Sequence, residues 1–374
     1  GTTQAVLLDI PMLLAAQDTP GISAAVYGKA SGWPGGVLLR SDDSGQTWGS
    51  QTGFLNASEV FTATTALPTG ISTLVDAAST LTVTADWSGA DLFSITDAQL
   101  FNLGNIAAFG ADGRWEILAF KTVVDNTVSY TLSDFLRGRF GTEWAMSLHQ
   151  IGDRLVMLDA NNADFIGLPL ATINSLRLWR AVTDGDVISS APDIQHVYAG
   201  VNLKPLSPVY LDGSRHPTTF DWSLDWTARS RTPVEPFAGL ATPLGESSEL
   251  WDVEVWNSTY TTMKRTFSSL TAAHLDYTST QQISDFSAAQ PTLYLKIFQI
   301  SATVGRGYPL QNSISCVIKT DGTNYSPTVL SLSPLLYYKL DGNTTTVIDA
   351  GSAASNATAS GSGITYQQPS LLTA

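Results

Sequence analysis

Alternation of apolar and polar side chains is the dominant period of the chain. In Leu81-Thr82-Val83-Thr84-Ala85-Asp86-Trp87 the apolar residues fall on every second position, which places them on one face of a strand. The alternation is strict in Phe220-Asp221-Trp222-Ser223-Leu224-Asp225-Trp226, with Trp222 and Trp226 sharing a face. Trp251, Val253 and Val255 alternate with Asp252 and Glu254. Ser175–Val182 and Leu293–Ile300 are apolar on both faces, as strands inside a sheet are. The early apolar run Val6–Ala16, interrupted by Asp9 and Pro11, reads as a buried strand or short helix. No window of about eleven residues keeps the helical period. Short helices are expected only near Asp97–Leu103 and Thr142–Gln150.

Turn residues divide these strands. Asp112-Gly113 between Ile106–Phe109 and Trp115–Phe120 predicts a hairpin, and Asp184-Gly185, Asp212-Gly213 and Asp321-Gly322 are read as further turns. Pro205 to Pro208 marks a boundary, because proline has no amide donor for a central ladder. The expected fold is mostly β. A β-rich domain spans 1–204, a β-sandwich 205–319, a linker 320–334, and an incomplete module 335–374, where apolar material is too scarce for a domain.

Composition narrows the function classes. Charged residues make up 14% of the 374, well below the roughly 25% of an average soluble domain. The formal charge of −14 argues against nucleic acid or an anionic membrane as a main partner, since phosphate binding requires a surplus of cations. Val6–Ala16 is shorter than the ~20 residues a membrane helix needs, so no stable membrane insertion is expected. The single cysteine, Cys316, rules out an internal disulfide. The chain opens on Gly1, and a C-terminal fragment of a longer protein is expected.

No catalytic, cofactor-binding or metal-binding residue is assigned, no cofactor is expected, and the receptor-binding residues are unknown. His149, His196, His216 and His274 are far apart and none has a metal-ligand spacing. No Gly-x-Ser-x-Gly elbow frames a nucleophile. Asp159-Ala160-Asn161-Asn162-Ala163-Asp164 is rich in oxygen but lacks the glycine and closing glutamate of a calcium loop, so a polar turn is expected. Ser41-Asp42-Asp43-Ser44-Gly45-Gln46-Thr47-Trp48 fits the Asp-box pattern of sialidases and related propellers. It occurs once, and a single copy reads as a hairpin turn. In Leu136-Arg137-Gly138-Arg139-Phe140-Gly141-Thr142-Glu143-Trp144-Ala145 the glycines allow sharp turns. Arg137, Arg139 and Glu143 are therefore expected to lock a loop or meet another subunit.

The order of several segments resembles the tail-tip, or host-specificity, proteins of long-tailed bacteriophages and gene transfer agents. Arg137 to Glu143, His149, Gly152-Asp153 and the apolar Arg154–Leu158 match in one block. Leu7–Pro11, Gly32-Trp33-Pro34-Gly35 and Leu38–Ser41 match upstream. Trp226–Arg231, Pro243–Glu246, Asp285-Phe286 and Gln299–Pro309 match downstream, in a unit similar to a fibronectin type III sandwich. Pro334–Gly342, Val347–Asp349, Asn356–Thr358 and Gln368–Leu372 resemble the start of a concanavalin-like, laminin-G type jelly roll, a module that often binds glycans.

The resemblance implies a non-enzymatic component of the virion. It would be made in the host cytoplasm and built into the tail tip as a homotrimer with other tail-tip proteins. There it would support host attachment and present a distal module to a surface receptor, with a glycan as a candidate. Two alternatives stand beside it. An accessory region of a secreted carbohydrate-active enzyme would belong to a protein with paired carboxylates about 5–10 Å apart in a cleft. A non-viral adhesin would carry an export signal.

Overall fold

A computed structural model of the chain describes residues 3–159, 161–232, 244–315, 346–347 and 357–358. The expected linker, nearly all of the expected jelly-roll start, Cys316, the Asp321-Gly322 turn and Pro243 of the segment Pro243–Glu246 lie outside these residues.

The fold is mostly β. Strands β1 (Thr3–Leu8), β2 (Gly21–Gly28), β3 (Gly36–Ser41) and β4 (Gly49–Phe54) open the chain. Six strands follow: β5 (Val60–Ala63), β6 (Leu81–Ala85), β7 (Ile106–Gly110), β8 (Glu116–Asp125), β9 (Tyr130–Arg139) and β10 (Arg154–Met157). They close into a barrel in the order β10-β5-β6-β9-β8-β7. The chain then returns to the first strands. β11 (Asp164–Gly167) pairs with β2, while β12 (Leu176–Thr183) lies between β3 and β13 (Ile194–Val197).

The stretch expected as one β-rich domain thus contains two architectures. Sheets β1-β2-β11 and β13-β12-β3-β4 enclose a shared core of Leu7, Ile22, Val26, Leu38, Ile166 and Trp179. The barrel is inserted between the outgoing and returning halves of that sandwich, around its own core of Phe61, Phe109, Phe120 and Phe135. All eight residues of β2 are buried. Ile22, Ala24 and Val26 face the sandwich core, while Ala25 and Tyr27 pack with Val60, Trp115, Ile117 and Val156 of the barrel. A strand covered on both faces cannot show the alternation of a half-buried one, and Gly21–Gly28 does not.

A second sandwich follows. Strands β14 (Val209–Arg215), β15 (Trp222–Thr227), β16 (Trp251–Trp256), β17 (Met263–Leu270) and β18 (His274–Tyr277) precede helix α1 (Ser279–Phe286). β19 (Thr292–Ser301), the two-residue β20 (Gly305–Arg306) and β21 (Leu310–Ser315) complete it. One sheet is β14-β15-β18. The other is β17-β16-β19, with β20 and β21 both paired to β19. Trp222, Leu224 and Trp226 point inward, as the alternation predicts, and pack with Trp251, Tyr277 and Leu295. Thr346–Val347 pairs with Ala357–Thr358 in a short ladder.

Two local expectations differ from the structure. Asp212-Gly213 is no turn but part of β14, beside a register shift between Val209 and Asp212. A side chain on Gly213 would come within 2.7 Å of Leu224, so the glycine serves close strand approach. Phe220 does not extend the buried face of β15. It has a φ of 63°, and its ring packs against the Arg215 guanidinium at 4.8 Å. Of the two expected helices, Asp97–Phe101 forms a capped helical turn. Only Glu143–Ala145 is helical in the other, as a 3-10 turn.

Candidate functional site

The Arg137–Glu143 segment leaves the end of β9 and enters two different structures. Arg137 turns into the barrel, where it is fully buried. Its Nε and Nη2 donate to the two carboxylate oxygens of Glu116 at 2.8 and 2.9 Å. Its Nη1 donates to the Pro68 carbonyl at 3.0 Å and to Asp76 at 3.3 Å. Glu116, also fully buried, accepts the Gly138 amide at 2.7 Å and lies 2.6 Å from His149 Nε2. The other ring nitrogen of His149 faces Asp153 at 3.5 Å, and Asp153 takes both arms of the Arg114 guanidinium. Gly138 occupies the left-handed region at φ 59°, and a Cβ there would meet Glu143 at 2.9 Å.

Asp76, Arg137, Glu116, His149, Asp153 and Arg114 thus form one continuous chain of contacts. Burial acts to raise the Glu116 pKa, but the bonds from His149, Arg137 and the Gly138 amide outweigh it and hold the carboxyl below its ordinary value. Asp76 is likewise lowered, against burial, by Ser79, Arg137 and the Ala78 amide. Both Glu116 oxygens are engaged, by Arg137, the Gly138 amide and His149. The arrangement is suited to bracing four segments: β8, β9, the loop at Pro68–Asp76 and the stretch Leu148–Asp153.

The far end of the motif faces the second sandwich. Glu143 accepts from Arg229 at 2.7 and 3.3 Å. The Trp144 ring stacks on Tyr308 at 5.1 Å between centroids. Gly141 sits against Leu206, and a Cβ there would come within 2.6 Å of it. Arg231 adds bonds to Asp18 at 2.6 Å and to Glu246 at 2.8 Å. Arg137 and Glu143, expected to lock a loop, each lock a longer path than the loop itself. Arg139 contributes its carbonyl, which accepts the Thr142 amide and hydroxyl.

The other candidates are local devices. Asp43 of the Asp-box segment accepts from the Thr47 amide and hydroxyl at 2.8 and 2.6 Å, which pulls its pKa down to about 2. Trp48 donates to the Gly45 carbonyl and stacks on Arg180, so the segment is the turn of the β3–β4 hairpin. Asp159 accepts from the Asn161 amide and the Asn162 side chain, and Asn162 in turn accepts from the Glu59 amide. This is the polar turn expected. His216 accepts from two following amides, and His274 contacts Asp225 and Asp276. His196 lines a small cavity in the first sandwich. Among the described residues no group of three or more His, Cys, Asp or Glu is placed to hold a metal ion.

The sequence did not single out Glu116, Asp76 or Arg114, and it marked Asp153 only as part of the block that resembles tail-tip proteins. Glu116 carried a usable signal, since one acid within the apolar run Trp115–Phe120 must find a buried partner.

A family model described as "Rcc01698-like, C-terminal" matches residues 59–156. The match coincides with the inserted barrel, from the start of β5 to the end of β10. No curated protein matches the chain. A crystal structure of a Salmonella alpha-2-macroglobulin mutant aligns with 94% of this chain and 25% of its own, at 8% identity and a TM-score of 0.16. The chain therefore spans about a quarter of that protein, and the likeness is too slight to bear on fold or function.

Proposed function

We propose that this chain is a structural segment of a bacteriophage tail tip. It would stiffen the tip and carry a distal module toward the host surface. The observation that carries the reading is the double use of the Arg137–Glu143 motif. Arg137 braces the barrel from within, and Glu143 with Trp144 fastens the barrel to the next sandwich. A motif spent on two braces suits a load-bearing rod better than a cleft. The resemblance of the same motif to tail-tip proteins supports the assignment, and the family match falls on the barrel that contains it.

On this reading the chain assembles as a homotrimer with other tail-tip proteins, and the receptor is a host surface molecule, with a glycan as a candidate. Three weak sites presented together raise apparent affinity through effective concentration. Particle imaging with an antibody against the second sandwich tests the proposal. Label at the distal end of the tail, with threefold density there, is the expected result. Label absent from purified particles would remove the reading.

A further inference from the structure

Strand direction sorts the barrel's connections between two ends. The Pro68–Asp76 loop, the Asp112-Gly113 hairpin and the Arg137–Asp153 segment share the end that Glu143 fastens to the second sandwich. The stretch 86–105, between β6 and β7, and the tip of the β8–β9 hairpin form the other end. Hydrogen bonds hold these two pieces together. The Ile95 amide donates to the Lys121 carbonyl at 2.9 Å. The Ser94 hydroxyl donates to the Val123 carbonyl at 3.2 Å and accepts the Val123 amide at 2.9 Å. Asn105 Nδ2 donates to the Phe93 carbonyl at 2.7 Å, and Lys121 Nζ to Asp97 at 2.9 Å.

This end displays four large apolar side chains. Phe93 is 66% exposed, Phe101 65%, Val124 52% and Val128 81%. Phe93 and Val124 flank the bonded pair Ser94–Val123, and Phe101 closes the helical turn that begins at Asp97. Val128 sits in the turn of the hairpin. Apolar residues scattered singly over a surface require no partner. Four on two bonded segments, each more than half exposed, mark an interaction surface.

The charge beside it defines what fits there. Lys121 is the one cation of stretches 86–105 and 120–135, and Asp97 already holds it. Asp86, Asp91, Asp125 and Asp134 belong to the same stretches. Arg154 engages Asp86, and the Thr122 hydroxyl engages Asp134. Among the described residues, Asp91 and Asp125 bond only uncharged groups: the Tyr130 hydroxyl and Leu92 amide, and the Thr127 amide. The Tyr130 hydroxyl registers the excess. Its bond to Asp91, its burial and the charges of Asp91, Asp125 and Glu59 push its pKa up to about 12. Apolar side chains beside unpaired acids complement a surface that is apolar and basic. A second copy docked through the same face would bring the acids together, and an anionic membrane repels them. The chain's own stretch 316–374 sets Lys319 and Lys339 against Asp321, Asp341 and Asp349, so it lacks the required sign.

We propose that this end of the barrel docks a second protein whose contact surface is apolar at its centre and basic at its rim. Its aliphatic side chains would cover Phe93, Phe101, Val124 and Val128, and its lysines or arginines would meet Asp91 and Asp125. The surface lies at the opposite end of the barrel from Glu143, so both contacts can be made at once.

Fluorescent amphipathic peptides are the probes. One has leucine on one face and lysine on the other. A second replaces lysine with glutamate, and a third replaces leucine with serine. Anisotropy titration with the full chain should show the lysine–leucine peptide binding about tenfold tighter than either twin. Phe93→Ser/Phe101→Ser should weaken that binding about tenfold. Asp91→Asn/Asp125→Asn should weaken it and flatten its dependence on salt. Val187→Ser/Ile188→Ser, at exposed positions of the first sandwich, should leave it unchanged. Thermal melts check that each variant is folded. If Phe93→Ser/Phe101→Ser is not, the three peptides and the Asp91→Asn/Asp125→Asn comparison decide. No binding overturns the proposal. Equal binding of the lysine–serine peptide, or equal binding to the phenylalanine variant, means attraction by net charge alone and also overturns it. So does a wild-type dimer in sedimentation that Phe93→Ser/Phe101→Ser converts to monomer. These outcomes are independent of where antibody label falls on a particle, so the tail-tip reading and this one can fail separately.

Discussion

Glu143 and Arg229 lie 86 positions apart and are joined by two hydrogen bonds, so the last acid of the barrel motif is held by the first arginine after β15. Both side chains are partly exposed, at 36% and 26%, so the ion pair alone contributes little to stability, about 0–1 kcal/mol. Its role is orientation, shared with the Trp144–Tyr308 stack. Spin labels at Val128 and Met263, exposed at 81% and 48%, report the angle between barrel and second sandwich. With Cys316 replaced by serine, the distance distribution between them should be narrow. The double variant Glu143→Ala/Trp144→Ala should broaden it at nearly unchanged helix and strand content. An equally narrow distribution in the variant would mean that the joint is held elsewhere.

Arg137→Met leaves Glu116 buried with half its donors gone. Breaking a fully buried pair on one side costs about 3–5 kcal/mol. Urea unfolding of the full chain should show that loss in the transition that reports the barrel. Adding Glu116→Gln removes the orphaned charge and should return part of it. A loss below ~1 kcal/mol would show that water reaches the site.

In the second sandwich, Trp226 is 4% exposed and meets Trp251 edge to face at 5.7 Å. Trp226→Ala should cost about 3–5 kcal/mol by calorimetry or urea titration. Asp225→Ala, one position away on the exposed face, should cost far less, which separates burial from strand propensity.

Asp9 supplies a pH dependence. It is almost fully buried and accepts the Ala199 and Val201 amides at 2.6 and 2.9 Å. Burial outweighs those bonds and raises its pKa from 3.8 to about 6. The unfolded chain therefore releases this proton at lower pH than the folded one. Stability contributed by protonated Asp9 is present below pH 3.8 and is lost as pH rises through about 6. Relative to Asp9→Asn, the wild type should lose on the order of 2–3 kcal/mol between pH 4 and pH 7. A difference that stays constant over that range would place Asp9's pKa near its ordinary value.

Local chemistry was legible in the sequence wherever it acts over a few residues. The Asp112-Gly113 hairpin, the Asp43–Thr47 turn and the inward Trp222 and Trp226 follow from neighbours in the chain. The insertion of the barrel was not legible, because it depends on Asp164–Gly167 pairing with Gly21–Ala24 across the whole barrel. No local period encodes that partner. Asp212-Gly213 misled for a related reason. Its glycine answers to Leu224 on the next strand and not to a turn. Arg137 was recognised as a locking residue, but its partners Glu116 and Asp76 come from segments that only the closed barrel brings together.

The inserted barrel sets an order of events during synthesis. Its first and last strands, β5 and β10, are hydrogen-bonded neighbours, so it can complete itself without the flanking sheets. β2 and β3 are made before it, and their partners β11 and β12 after it. Until those emerge from the ribosome, the first sandwich has four of its seven strands, and β2 and β3 each have one edge unpaired. At a synthesis rate of about 5–20 residues per second, the wait spans many seconds, and exposed strand edges invite aggregation throughout. The finished barrel shortens that exposure by covering Ala25 and Tyr27 on one face of β2. Nascent chains truncated just after β10 should therefore need chaperone protection more than those truncated after β13.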